Sequence, residues 1–211
     1  MSDQIRRESP LIRFKPANRA TRQPAASAGV LVGERPFLGY LNLRGDPADS
    51  ALLKAANGVL GFDLPVEANT ATEGDGQVAY WLGPDEWLVV TPGEQTNDVA
   101  ERLRSAFGEL FATVTDVSGG QTIVTLTGGH ARDLLAKGCP LDFHPSVFGP
   151  GQCAQSLFAK SPILIRLVDD SPAFEIVLRR SFADYFWHWL EDAAQEYGLT
   201  VVATSEGKAV A

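Results

Sequence analysis

The chain has 211 residues, 45% of them hydrophobic, and a formal net charge of −8. That length suits one large or two small globular units, and no run approaches the roughly 18 apolar residues needed to span a bilayer. Residues 1–35 hold seven basic and three acidic side chains, so the remaining body carries a charge of about −12 that repels a phosphate backbone and excludes nucleic acid as an expected partner.

The polar, arginine-bearing start lacks the apolar centre of an export signal, so a cytoplasmic setting is expected, with no membrane partner. There the two cysteines, Cys139 and Cys153, read as reduced thiols. Residues 1–36, with Pro10, Pro16 and Pro24 among few large apolar side chains, read as an extended basic arm. Residues 37–43 alternate as a strand ending at Gly45, and the segment Asp46-Pro47-Ala48-Asp49 supplies a cap, a first-turn proline and a reciprocal carboxylate for a helix through Leu52, Leu53 and Ala56. Gly58 is the expected stop. Residues 64–77 show no period and predict a loop. Strands over 78–82 and 87–91 then flank the turn Gly83-Pro84-Asp85-Glu86, both rich in aromatic and β-branched side chains. A helix opened by Asn97, with Val99, Leu103, Ala106 and Phe107 on one stripe, leads to a strand over 113–117.

The same order then starts again. A strand over 121–127, the corner Gly128-Gly129 and a helix over 130–137 stopped by Gly138 repeat the opening of the first unit. An irregular insertion over 139–151 follows, with Pro140, Pro145 and Pro150, and then a hairpin of 163–168 and 174–179 around Asp169-Asp170-Ser171-Pro172. The segment Ser181-Phe182-Ala183-Asp184 has the form of a capping box, ahead of Phe182, Phe186, Trp189, Leu190, Ala193 and Tyr197 at helical spacing. Gly198 is the expected stop, and 199–203 the last strand. The reading is an α+β protein of two similar ferredoxin-like βαββαβ halves, about 37–118 and 119–203, followed by a mobile tail over 204–211. Two such sheets with helices on one side of each can bury a shared core.

Chemistry-bearing residues are present without a chemistry-bearing pattern. Cys139, Asp142, His144 and Cys153 include zinc-ligand types, but the paired spacing of a knuckle is missing, and small buried thiols with a turn histidine explain them better. A cysteine nucleophile needs a base, and neither His130, His144 nor His188 is specified as one by its neighbours. Gly119-Gly120 and Gly128-Gly129 extend to no G-x-G-x-x-G or G-x-x-x-x-G-K-[ST] motif. Catalytic, cofactor-binding and metal-binding residues are therefore all read as none. Trp81, Trp87, Trp187 and Trp189 stand in pairs at alternating positions; two or three are expected in the core and at least one at an interface.

Four segments taken together resemble the gamma subunit of heterotetrameric sarcosine oxidase: Tyr80-Trp81-Leu82-Gly83-Pro84-Asp85-Glu86-Trp87-Leu88, Asp116-Val117-Ser118, Leu141-Asp142-Phe143-His144-Pro145-Ser146-Val147-Phe148 and Arg180-Ser181-Phe182-Ala183-Asp184-Tyr185. The resemblance implies a fold like the folate-binding module of glycine-cleavage aminomethyltransferase. It also implies a non-catalytic assembly subunit of an enzyme that demethylates sarcosine to glycine, yielding formaldehyde or 5,10-methylenetetrahydrofolate and hydrogen peroxide. FAD, FMN, NAD, tetrahydrofolate and zinc are then expected in the alpha, beta and delta subunits, with alpha the main contact. Two rivals share the fold. A free-standing folate-binding protein of the iron–sulfur-cluster maintenance type has Lys-Gly-Cys-Tyr then Gly-Gln, whereas here Lys137-Gly138-Cys139 meets Pro140 and Gly151-Gln152 comes after the insertion. An aminomethyltransferase-like enzyme would use a carboxylate such as Asp116 to grip a pterin, but that residue is as easily a strand-end cap.

Overall fold

In the computed structural model, which describes residues 7–16 and 28–202, strand alternation sends apolar side chains to both faces of two sheets, and a four-layer stack follows. The first half runs β2 (Gly39–Gly45), α1 (Ser50–Leu60), β3 (Ala71–Gly74), β4 (Gln77–Gly83), β5 (Glu86–Thr91), α2 (Thr96–Phe107) and β6 (Ala112–Asp116). Its sheet has the order β3-β4-β5-β2-β6. Leu41, Leu43, Ala79, Trp87 and Val89 meet Leu52, Ala56, Val99 and Leu103 of the two helices. Tyr40, Val78, Tyr80, Leu88 and Val90 point the other way, onto Ile123, Cys153, Leu164 and Val177 of the second sheet. The period of two along each strand thus builds two cores from one sheet.

The second half runs β7 (Gln121–Thr127), α3 (Ala131–Gly138), β8 (Cys153–Phe158), β9 (Ser161–Asp169), β10 (Ala173–Arg179), α4 (Ala183–Ala193) and β11 (Leu199–Val201). Here the arm expected over 1–36 is corrected at its C-terminal end. Val30–Arg35 forms β1, and the sheet order is β11-β1-β7-β10-β9-β8. β1 runs antiparallel to β7, with Val32 opposite Leu126, and parallel to β11, with Val30 opposite Leu199. It sits between β7 and β11, whereas the equivalent β2 and β6 of the first half pair directly. The chain's start therefore completes the sheet of its second half. Gly128, at φ 110°, permits this insertion, since a Cβ there would lie 2.5 Å from the Gly29 carbonyl oxygen.

A second piece of the arm is also ordered against this half. Leu11 is fully buried among the side chains of α3, α4 and the sheet. Ser9 donates to the Glu34 carboxylate at 2.6 Å, and Phe14 lies 5.7 Å from the Trp187 ring. Residues 1–6 and 17–27 of the arm, and 203–211 with the expected tail, lie outside the described residues.

Local readings shift at several ends. Asp49 caps α1, accepting from the Ala51 amide at 2.9 Å, and the helix continues through the exposed Gly58 to Gly61, whose φ of 83° makes the stop. β3 pairs with β4 inside the predicted loop 64–77, and β8 follows the insertion. The box at 181–184 does not form: a 3₁₀ turn precedes α4, and Asp184 instead accepts from Arg13 at 2.8 Å. α4 ends at Ala193, short of Gly198.

Candidate functional site

Because alternate residues of β1, β9 and β10 face the other sheet, Arg35, Arg166 and Glu175 arrive together in the space between the sheets, where each side chain is at least nine-tenths buried. The Glu175 carboxylate accepts from Arg35 on one oxygen, and on the other from Arg166 at 3.0 Å and the Tyr80 hydroxyl at 3.1 Å. Arg166 also reaches across to Glu73 of β3 at 2.9 Å. Tyr80 and Glu73 belong to one sheet and the three charged residues to the other, so the cluster joins the two halves.

Burial works against the Arg166 charge, yet the surrounding Tyr80, Glu175 and Glu73 hold its pKa above the ordinary value. Burial, reinforced by the Glu175 charge, pushes Tyr80 well up, and burial pushes Tyr40 up as well. Both phenols stay protonated at neutral pH, and Tyr80 serves as a donor to Glu175 rather than as a base. The cluster spends its charges on one another and holds register between the sheets. Sequence reading missed it because Arg35 fell in the presumed arm and Glu73 in a presumed loop.

The residues weighed for metal or nucleophilic chemistry are dispersed. Cys139 packs on the helix side of the six-stranded sheet, 3.5 Å from the Ser156 hydroxyl, whereas Cys153 lies on the inter-sheet side. Burial raises the Cys153 thiol to about 11, which keeps it a protonated, weak nucleophile at neutral pH. Among the described residues no group of three or more His, Cys, Asp or Glu side chains could hold a metal ion. Asp142 accepts from the His144 amide at 2.8 Å, and His144 Nδ1 meets the Ser146 hydroxyl at 2.7 Å, so both fold the insertion on itself. His130 stacks on Tyr197 at 4.8 Å and contacts Asp133 at 2.8 Å. His188 lies edge-on to Phe14 at 4.9 Å.

Asp116 accepts from the Ser118 amide at 2.9 Å, and the Ser118 hydroxyl accepts from the Tyr40 amide at 3.0 Å, a strand-end clasp. Gly119, Gly120 and Gly129 have open space where a Cβ would stand, so no close backbone approach requires them. The insertion is held by aromatic packing: Phe143 and Phe148 meet Phe174, and Arg132 donates to the Phe143 carbonyl. Trp87 and Trp187 are buried, and Trp81 and Trp189 half-buried. The most exposed large apolar side chain among the described residues is Phe111, at 98%. Within the same residues no helix is long and apolar enough to cross a membrane.

The family model and the curated relatives agree along the chain. A family model described as "Sarcosine oxidase, gamma subunit family" matches residues 44–196. The sarcosine oxidase subunit gamma of Corynebacterium sp. (strain U-96) is 33% identical over 96% of each chain. That of Arthrobacter sp is 31% identical over 93% of this chain and 97% of its own. Among solved structures, the heterotetrameric sarcosine oxidase from Corynebacterium sp. U-96 in complex with pyrrole 2-carboxylate contains a chain that matches at TM-score 0.81. It is 30% identical and covers 93% of this chain and 99% of its own. Glycine cleavage system aminomethyltransferase T from Bartonella henselae matches at TM-score 0.66 and 12% identity, over 92% of this chain and 58% of that one, a likeness of fold alone. The gamma-subunit reading is thereby supported over the two rivals of the same fold: the chain belongs to the sarcosine oxidase gamma subunit family.

Proposed function

We propose that this chain is the gamma subunit of a heterotetrameric sarcosine oxidase and that it contributes shape and contact surface rather than reacting groups. The complex would demethylate sarcosine to glycine, releasing formaldehyde or 5,10-methylenetetrahydrofolate together with hydrogen peroxide. FAD, FMN, NAD, tetrahydrofolate and zinc would reside in the alpha, beta and delta subunits, with alpha the main contact and the cytoplasm the setting. The observation that carries this reading is the end-to-end correspondence in shape, TM-score 0.81 over 93% of the chain, with a chain of a heterotetrameric oxidase. The interior agrees with it. Arg35, Arg166, Glu73 and Glu175 are engaged with one another, and burial holds the Cys153 thiol in its protonated form.

Coexpression with the other three subunits, followed by gel filtration, absorbance and a folate titration, tests the proposal. The expected result is co-elution with a yellow oxidase, while the chain purified alone is colourless and does not bind folate. A lone chain that holds a flavin, saturates with folate or turns over an N-methyl amino acid overturns it.

A further inference from the structure

The Gly83-Pro84-Asp85-Glu86 turn belongs to a segment that carries the family resemblance, yet the inter-sheet cluster leaves it unused. At that end of the five-stranded sheet three connections converge: the β2–α1 corner with Arg44 and Pro47, the β4–β5 turn with Pro84 and Asp85, and the α2–β6 turn with Leu110 and Phe111. They enclose an open groove of about 800 Å³.

Two successive apolar residues divide there. Leu110 packs into the helix-side core, and Phe111 stands 98% exposed. The turn fixes this division, since the Leu110 amide donates to Phe107 and the Ala112 amide to Leu110, both at 2.8 Å. Phe111 is therefore displayed by an ordered turn, and an aromatic side chain so placed is the kind of anchor that interfaces use. The rim has a sign. Arg44 contacts Asp85 at 3.1 Å and Glu86 at 3.6 Å, and Asp46 also lines the groove, so carboxylates outnumber guanidiniums at this end of the sheet.

We infer that this groove is a docking anchor for a non-identical subunit, one that presents an apolar socket for Phe111 flanked by lysine or arginine. The inference rests on the oxidase-subunit reading and names the surface that reading would use. A second copy of the chain fits worse, because its rim would bring like charge against like charge. A lone phenylalanine with two prolines exposes far less than the roughly 800 Å² per partner that a stable interface buries, whatever the partner. The groove is one anchor inside a broader contact.

The test uses the full chain coexpressed with the three other subunits, comparing wild type with Phe111→Asp, and with Val66→Asp as a control at another exposed apolar position, 61% exposed. Circular dichroism and melting of the isolated variants are expected to match wild type, because the Phe111 side chain lies outside the core. Phe111→Asp is expected to weaken association roughly ten- to a hundredfold, the worth of one buried aromatic side chain, with Val66→Asp unchanged. Wild-type association is expected to weaken as salt rises. Failure of the wild type to co-elute refutes the subunit reading itself. Wild-type co-elution with Phe111→Asp assembling equally well refutes the groove. A loss confined to self-association of the isolated chain assigns the groove to a second copy and also overturns the inference, and tighter binding at high salt overturns its charged rim.

Discussion

Glu175→Gln tests whether the inter-sheet cluster holds the two halves together. The side chains of Glu175, Arg166 and Arg35 are 1%, 4% and 6% exposed, so little solvent is available to replace a lost charge. At the 3.0 Å separation of Arg166 and Glu175, and with an effective dielectric of about 20, the attraction is about 5 kcal/mol before desolvation is subtracted. The amide preserves shape and one acceptor, but Arg35 loses its paired carboxylate and Arg166 is left with Glu73, whose side chain is 56% exposed and screened. Removing one partner of such a cluster costs about 3–5 kcal/mol. With a urea slope of about 2 kcal/mol per M, the unfolding midpoint falls by roughly 1.5–2.5 M. The companion variant Arg35→Met/Arg166→Met/Glu175→Leu removes the buried charges together and is expected to lose less than the single substitution, because the one ion left without its partner is the solvent-screened Glu73. A Glu175→Gln midpoint within about 0.3 M of wild type, or a companion variant less stable than the single one, refutes the account.

Four further substitutions probe the frame. Leu11→Ala, in a fully buried site on a short terminal segment, is expected to cost about 2–3 kcal/mol and to open residues 9–14 to protease; unchanged proteolysis refutes the anchoring role. Gly58→Ala, exposed and with open space at its Cβ inside α1, is expected to gain about 0.5–1 kcal/mol in thermal unfolding. Gly93→Ala, whose Cβ would meet the Phe37 carbonyl oxygen at 1.9 Å, is expected to lose about 1–3 kcal/mol, so equal effects at the two sites refute the contrast. Burial raises the Glu34 pKa above the ordinary carboxylate value of 4.5, with hydrogen bonds from Ser9 and Thr122 opposing. The folded state therefore takes up this proton before the unfolded state does. Its contribution to stability rises as pH falls through the folded pKa toward 4.5, and levels off below. Stability of Glu34→Gln relative to wild type, followed by urea unfolding, is expected to be greater at pH 8 than at pH 5; the reverse order refutes the sign.

Sequence alone determined what depends on neighbours a few residues apart. Strand alternation over 78–91, the capping segment 46–49 and the helical stripes through Leu103 and Leu190 gave the element types, and their repetition gave two similar halves, each of which holds one strand more than the expected βαββαβ order, β3 in the first and β8 in the second. The resemblance residues pointed to the family that the comparisons support. Period-two alternation also implied that each sheet has two faces to bury. It did not say which strand lies beside which. Tertiary structure alone decided that Val30–Arg35 enters between β7 and β11, a pairing across almost the whole chain. No local signal separates such a strand from an arm, because backbone pairing between distant segments depends on where the rest of the fold leaves room. The same long-range closure gathers Arg35, Glu73, Arg166 and Glu175, and lets Phe14 cover Trp187 on a helix whose stripe pointed to Trp189. At the α2–β6 turn, the sequence supplied the pair Leu110-Phe111, and the fold turned one inward and left the other in solvent.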